Sequence, residues 1–206
     1  MVNQPRQYNT MTNILRVESS IKGDAAVSRR LTDRIISRLV TTDPAAKIVT
    51  RDLAAGLNPI DANWISAMFT ASEARTAMQQ ATAAYADTLL AEVKAADILV
   101  IALPVYNYGV PAQLKAWIGQ LVRTGETFYY TEQGPVGLLT GKRAIVAYTS
   151  DGTKFGSDID FASGYLRHML GFFGITDVGF VAADAMAFGA EAAIAKGEAQ
   201  VDALAA

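Results

Sequence analysis

The sequence predicts an α/β protein built on a doubly wound, five-stranded parallel sheet with helices on both faces. Three observations lead there. Short β-rich runs alternate along the chain with stretches of helical periodicity, the pattern of strand–helix–strand crossovers. Ile98–Leu103 (ILVIAL) is apolar throughout, as a central strand covered on both faces must be. No internal repeat or low-complexity linker interrupts the alternation, and 206 residues suit one medium domain with a sizeable core.

The polar opening, residues 1–12, reads as a flexible leader ahead of a domain spanning 13–206. Ile14–Glu18 is the first strand. In the helix that follows, Leu31, Ile35, Ile36, Leu39 and Val40 recur on one face of a 3.6-residue period. Ile48–Leu53 is the second strand. Ala71–Lys94 then predicts a long amphipathic crossover helix, with Met78, Ala81, Tyr85, Leu89 and Val93 on its apolar stripe. After the central strand, Leu114, Trp117, Ile118, Leu121 and Val122 mark the next helix. Arg143–Thr149 is the fourth strand. Phe161, Tyr165, Met169, Leu170 and Phe173 form a helix face, Val178–Ala182 the fifth strand, and Ile194, Gly197, Val201 and Leu204 the last helix. Right-handed crossovers leave few arrangements for five strands and five helices, and the flavodoxin-like order 2-1-3-4-5 is the natural one.

Composition narrows the function. With 18 Lys and Arg against 20 Asp and Glu, the formal net charge of −2 offers no basic surface for nucleic acid. The chain contains no cysteine, which removes disulfides, thiolate nucleophiles and cysteine-ligated metal centres together. The N-terminus lacks the apolar core of a signal peptide, and no apolar run approaches the ~20 residues of a membrane span. A cytoplasmic protein is expected. His168, the single histidine, falls in mid-helix and reads as a structural or surface residue. Nothing resembles a GxSxG nucleophile or a carboxylate–histidine metal cluster. Asp52 and Asp97 read as solvated strand boundaries, and Arg29, Arg30 and Arg34 as the wet face of a helix.

Open α/β sheets bind ligands beyond the carboxyl ends of their strands, at the switch point in strand order. Here that means the loops after strands one, three and four. The first, Ser19 to Ser28, places small and hydroxyl-bearing residues before a helix N-terminus, where free N–H groups and the helix dipole attract an anion. Ser20 and Ser28 add hydroxyl donors. The plainer alternative is a turn with Ser28 as N-cap. Neither GxGxxG nor a P-loop is present. The second loop, Pro104-Val105-Tyr106-Asn107-Tyr108-Gly109-Val110-Pro111, is stiff and aromatic and suits a flat heteroaromatic ligand. Its alternative is a packed turn in which Pro111 starts the next helix. The third, Ser150-Asp151-Gly152-Thr153, is an ordinary turn given weight by its place in the sheet.

From about Asn13 onward the sequence resembles the FMN-dependent azoreductase branch of the flavodoxin-like quinone reductases. The most specific stretch is PVYNYGVPAQLKAWIGQLVRTGETFYYTEQGPVGLLTGKRA, Pro104 to Ala144. The resemblance implies that Ser20 and Ala26-Val27-Ser28 hold an FMN phosphate. Val105, Tyr106, Asn107 and Tyr108 would border the isoalloxazine ring, and Ser150, Asp151, Gly152 and Thr153 would flank its other side. Tyr130 and Phe172 look like the family's aromatic substrate-pocket positions, the latter contributed across a homodimer interface. The implied activity moves electron pairs from NAD(P)H through tightly bound FMN to quinones or azo compounds by a ping-pong mechanism, with no side-chain acid or base. Two departures stand out. Family members commonly have a hydroxyl residue at the Ala26 position, and Ser-Arg-Gly-Gly where this chain has Ser150 to Thr153. A flavodoxin-type electron carrier without its own substrate is the alternative, and the long aromatic segment Arg123–Leu139 speaks against it. A flavin-free regulatory protein on the same fold is a third reading.

Overall fold

The computed structural model describes residues 11–204. Most of the expected leader lies outside the described residues, but Thr12 is tied down, its N–H donating to Asp43 Oδ2 at 3.1 Å. The strands are β1 (Asn13–Glu18), β2 (Lys47–Asp52), β3 (Ile98–Pro104), β4 (Phe128–Thr131), β5 (Gly134–Gly137), β6 (Arg143–Thr149) and β7 (Asp177–Ala183). The α-helices are α1 (Val27–Thr42), α2 (Ala62–Phe69), α3 (Ala77–Ala95), α4 (Ala112–Leu121), α5 (Phe161–Phe173) and α6 (Ala190–Asp202).

Five strands form a parallel sheet in the order β2-β1-β3-β6-β7. Counted along that sheet alone, this is the expected 2-1-3-4-5. Central β3 shows why its sequence is uniformly apolar. Successive side chains point to opposite faces. Leu99, Ile101 and Leu103 join the core beneath α3, α4 and α5, with Leu90, Trp117 and Leu166. Val100 joins the opposite core beneath α1 and α6, with Leu31, Ile35 and Val201. Both layers are apolar, so successive positions of the strand are hydrophobic.

Several local expectations are corrected. The crossover helix begins at Ala77, because Thr76 and Gln79 form a reciprocal capping box there. Residues 72–74 are a separate 3₁₀ turn. Leu89 and Val93 are buried as expected and Tyr85 packs against the core, but Met78 and Ala81 are exposed; Ala83, Ala86 and Leu90 complete the buried face. The small side chains of Ala83 and Ala86 leave a weaker apolar signal than the exposed Met78. A sixth helix, α2, precedes it. Asp61 caps its N-terminus by accepting from Trp64 N–H at 2.8 Å, and Asn63 Nδ2 donates to Thr82 Oγ1 of α3 at 2.7 Å. The segment after α4 folds into the antiparallel hairpin β4–β5.

The boundary charges are engaged as well. Asp97 accepts from Asn13 N–H at 2.8 Å, and Asp52 accepts from Ala54 N–H at 2.9 Å while pairing with Arg29 at 2.6 Å. Arg30 pairs with Glu198 and Arg34 with Asp202 across the α1–α6 contact, each at 2.6 Å. His168 lies on the exposed side of α5.

Candidate functional site

The loops after β1, β3 and β6 meet at the carboxyl edge of the sheet. After β1 the chain is held from below: Ser19 Oγ donates to Ala102 O at 2.8 Å. Ser20 Oγ accepts from Lys22 N–H at 3.2 Å and lies 3.1 Å from the Tyr106 hydroxyl, which itself accepts from Ile21 N–H at 3.2 Å. Tyr106 therefore braces the first loop against the second. At the start of α1 the first helical bond is Arg30 N–H to Ala26 O. The N–H groups of Val27, Ser28 and Arg29 thus have no acceptor within the helix, and Ala26 supplies no side-chain cap. Ser28 Oγ is the most telling atom. The residue is 1% exposed and the hydroxyl has no hydrogen-bond partner. Such a group costs about 1–3 kcal/mol unless something satisfies it.

After β3 the chain reverses in two residues. Tyr106 and Gly109 exchange both backbone hydrogen bonds at 3.0 Å. Asn107 and Tyr108 between them have φ of 48° and 68°, as a type I′ turn requires. Asparagine tolerates that conformation, but tyrosine there stores roughly 1–3 kcal/mol of strain. Strain of this kind collects at binding sites, and this turn forms the wall between two clefts.

After β6, Ser150 is a hub. Its hydroxyl donates to Thr153 O and accepts from Ala185 N–H at 3.2 Å, while its carbonyl accepts from Met186 N–H at 3.0 Å. Gly152 and Thr153 both lie outside the positive-φ region, so the β-branched residue fits without backbone strain. Below them, burial pushes the Tyr148 phenol pKa above its ordinary value. Burial would also raise Asp184, but Lys196 at 2.8 Å and Phe155 N–H at 2.9 Å hold its carboxyl below the usual range. Asp184 thereby anchors the loop from β7 to α6, a fourth wall that sequence reasoning missed. Its contribution is mostly backbone, which leaves little signal in residue types.

Two adjoining cavities take in all the candidate cofactor residues. A narrow one of about 60 Å³ is lined by Ser20, Ala26, Val27, Ser28, Val105, Tyr106, Ser150 and Asp151, together with Lys22, Ala25, Pro104, Thr149 and Met186. A larger cleft of about 640 Å³ adds Asn107, Tyr108, Gly152 and Thr153, with Ile21 and Ile159. On the outer side of the turn, a third of about 610 Å³ runs past Phe161 and Tyr165. Tyr130 and Phe172 line none of these. They flank Phe128, with ring centroids 5.3 Å and 4.5 Å from it, and Tyr130 is 70% exposed.

The model of the flavodoxin-like fold family matches residues 12–206. An FMN-dependent NADH:quinone oxidoreductase of Cereibacter sphaeroides (strain KD131 / KCTC 12085) is 65% identical over 196 residues, covering 95% of this chain and all of that one. The chain belongs to the FMN-dependent NADH:quinone oxidoreductase family. A member from Jannaschia sp. (strain CCS1) is 54% identical over the same share of both chains. Among solved structures, the azoreductase from Bacillus anthracis str. Sterne superimposes with a TM-score of 0.84 at 28% identity, covering 93% of this chain and 97% of that one. An FMN-dependent NADH-azoreductase from Bacillus anthracis str. Ames Ancestor, solved in complex with FMN, gives 0.83 at 26%, covering 95% and 100%.

The residues present fit the family's cofactor. The unpartnered Ser28 hydroxyl and the uncapped N–H groups of α1 face a pocket of phosphate dimensions. The larger cleft, walled by the strained turn and the Ser150 loop, has room for a flat ring system. No helix among the described residues is long and apolar enough to cross a membrane, and they contain no cluster of metal-ligating side chains.

Proposed function

We propose that this protein is an FMN-dependent NADH:quinone oxidoreductase that also accepts aromatic azo compounds, and that it works as a homodimer. The observation that carries the reading is the buried, unsatisfied Ser28 hydroxyl at an uncapped helix N-terminus beside a flat cleft, in a chain 65% identical to a protein of that name. FMN, when bound, supplies the electron-pair chemistry. The chain's own residues bind and orient it. Ser20, Ser28 and the first N–H groups of α1 hold the phosphate. The Val105–Tyr108 turn borders one side of the ring, and Ser150, Asp151, Gly152 and Thr153 the other. No side chain is assigned as acid or base. The electron-carrier alternative is not favoured, because the relatives are named as enzymes with their own substrates.

Donor and acceptor occupy the same space in turn. Initial rates with NADH and a quinone are therefore expected to give parallel double-reciprocal lines, and intersecting lines would rule out a shared space. Tyr130→Ala is expected to slow reoxidation by a bulky aromatic acceptor roughly 3- to 10-fold, the worth of one aromatic contact. Reduction by NADH changes little. Stopped-flow measurement of each half-reaction separates the two, and equal losses in both would move Tyr130 from the acceptor pocket to the flavin.

The position of the aromatic pair supports the dimer. Tyr130 and Phe172 lie outside all three clefts of their own chain, so they reach an active site by covering that of a second copy. Light scattering is expected to return twice the chain mass. A monomer across a wide concentration range removes both residues from the pocket.

A further inference from the structure

The narrow phosphate-sized pocket contains a cation that no ion pair among the described residues engages. Arg29, although adjacent to Ser28, is committed elsewhere: its guanidinium lies 2.6 Å from Asp52, 3.5 Å from Asp24 and 3.9 Å from Glu18. Arg30 is held by Glu198 at 2.6 Å, and Arg16 by Glu18 at 2.5 Å and Asp33 at 2.6 Å. Lys22 lines the pocket and makes no salt bridge among the described residues. The other charged residue on the lining is Asp151, whose carboxylate opposes any anion there. At Ala26, the residue that precedes the helix, the side chain is a buried methyl that donates nothing.

We propose that Lys22 is a phosphate-binding residue, its ammonium supplying the donor that Ala26 lacks and offsetting Asp151. The inference rests on the FMN reading above and adds a residue to it. A phosphate monoester carries a charge of about −1.5 to −2 at neutral pH. Ser20, Ser28 and backbone N–H groups can satisfy its oxygens but leave its net charge facing an acid. An ammonium at the rim balances that charge, and its exposure makes the contact sensitive to salt. Binding of the phosphate end is then partly ionic, whereas binding of the ring is not.

Titrating the flavin-free protein by flavin fluorescence, with FMN and with riboflavin, tests this at low and high salt. Wild type is expected to bind FMN less tightly as salt rises and to bind riboflavin, which lacks the phosphate, independently of salt. Lys22→Gln should weaken FMN binding roughly tenfold at low salt, the low end for a charge-assisted contact at an exposed rim. It should flatten the salt dependence and leave riboflavin affinity as it was, and Lys22→Arg should restore both FMN affinity and its salt slope. FMN curves for Lys22→Gln that overlay the wild type at every salt concentration overturn the proposal, as does an equal loss for FMN and riboflavin. Binding of neither flavin by the wild type would overturn the flavin reading itself, and this inference with it.

Discussion

Ser20→Ala combined with Ser28→Ala is expected to weaken FMN binding by roughly 3–5 kcal/mol, since a hydrogen bond to a charged group is worth about 1.5–3 kcal/mol. That corresponds to a rise in Kd of roughly a hundredfold to a few thousandfold. The two serines differ in what they do without the cofactor, which makes the single variants informative. Ser20 Oγ already bonds Lys22 N–H and the Tyr106 hydroxyl, so Ser20→Ala also loosens the brace between the first two loops and should lower the stability of the flavin-free protein. Ser28 Oγ bonds nothing. Ser28→Ala removes a buried unsatisfied group, so the flavin-free protein should melt at the same temperature or slightly higher, while the flavin-bound form loses affinity. A residue that weakens the empty protein and strengthens the loaded one is there for the ligand. Fluorescence titration alongside thermal melts of both forms reads the two effects. Unchanged FMN affinity in the double variant would remove this loop from the site.

The sheet was legible because its residues obey one constraint each. Leu99 to Leu103 are buried on one face or the other and Ile98 is partly buried, and an unbroken apolar run is the direct image of that. The three loops were legible by inference from strand order, since the carboxyl edge at the switch point is fixed once the sheet is drawn. What escaped were features set by close neighbours or by backbone. Helix α2 has 8 residues, barely two turns, too few for a period to emerge. In the crossover helix the large side chain of Met78 extends the apolar stripe in the sequence, yet the first buried residues are the alanines Ala83 and Ala86, ahead of Leu89, Leu90 and Val93. The brace through the Tyr106 hydroxyl and the backbone wall at Ala185 and Met186 join residues distant in sequence. Tyr108 runs against the sequence rules for its turn, which favour glycine at that position. A local rule broken in this way marks the places where function competes with folding.

The hairpin that presents Tyr130 is fixed by an unusually close approach. Strand β5 ends at Gly137, whose backbone lies against the turn that ends α5 at Phe173 and Gly174. A Cβ added at Gly137 would sit 2.1 Å from Gly174 N and 2.3 Å from Phe173 C, and both are backbone atoms that cannot rotate aside. Gly174 must itself be glycine-like, with φ of 99° at the helix C-cap. Leu139 N–H donates to Phe173 O at 2.8 Å, and the tilted ring of Phe128 packs on Phe172 at 4.5 Å, so the hairpin and the helix end are joined. Gly137→Ala is expected to cost about 3 kcal/mol, the upper range for overpacking a tight contact. For a chain of this size that lowers the melting temperature by roughly 6–12 °C. Because the hairpin shifts away from α5, the same variant should impair reoxidation by aromatic acceptors through displaced Tyr130 and Phe172, while FMN affinity, set by the loops after β1, β3 and β6, holds. Circular dichroism melts and the two half-reactions measure these separately. A melting temperature within 2 °C of wild type would mean that the hairpin yields easily, and that its grip on α5 does not fix the aromatic pair.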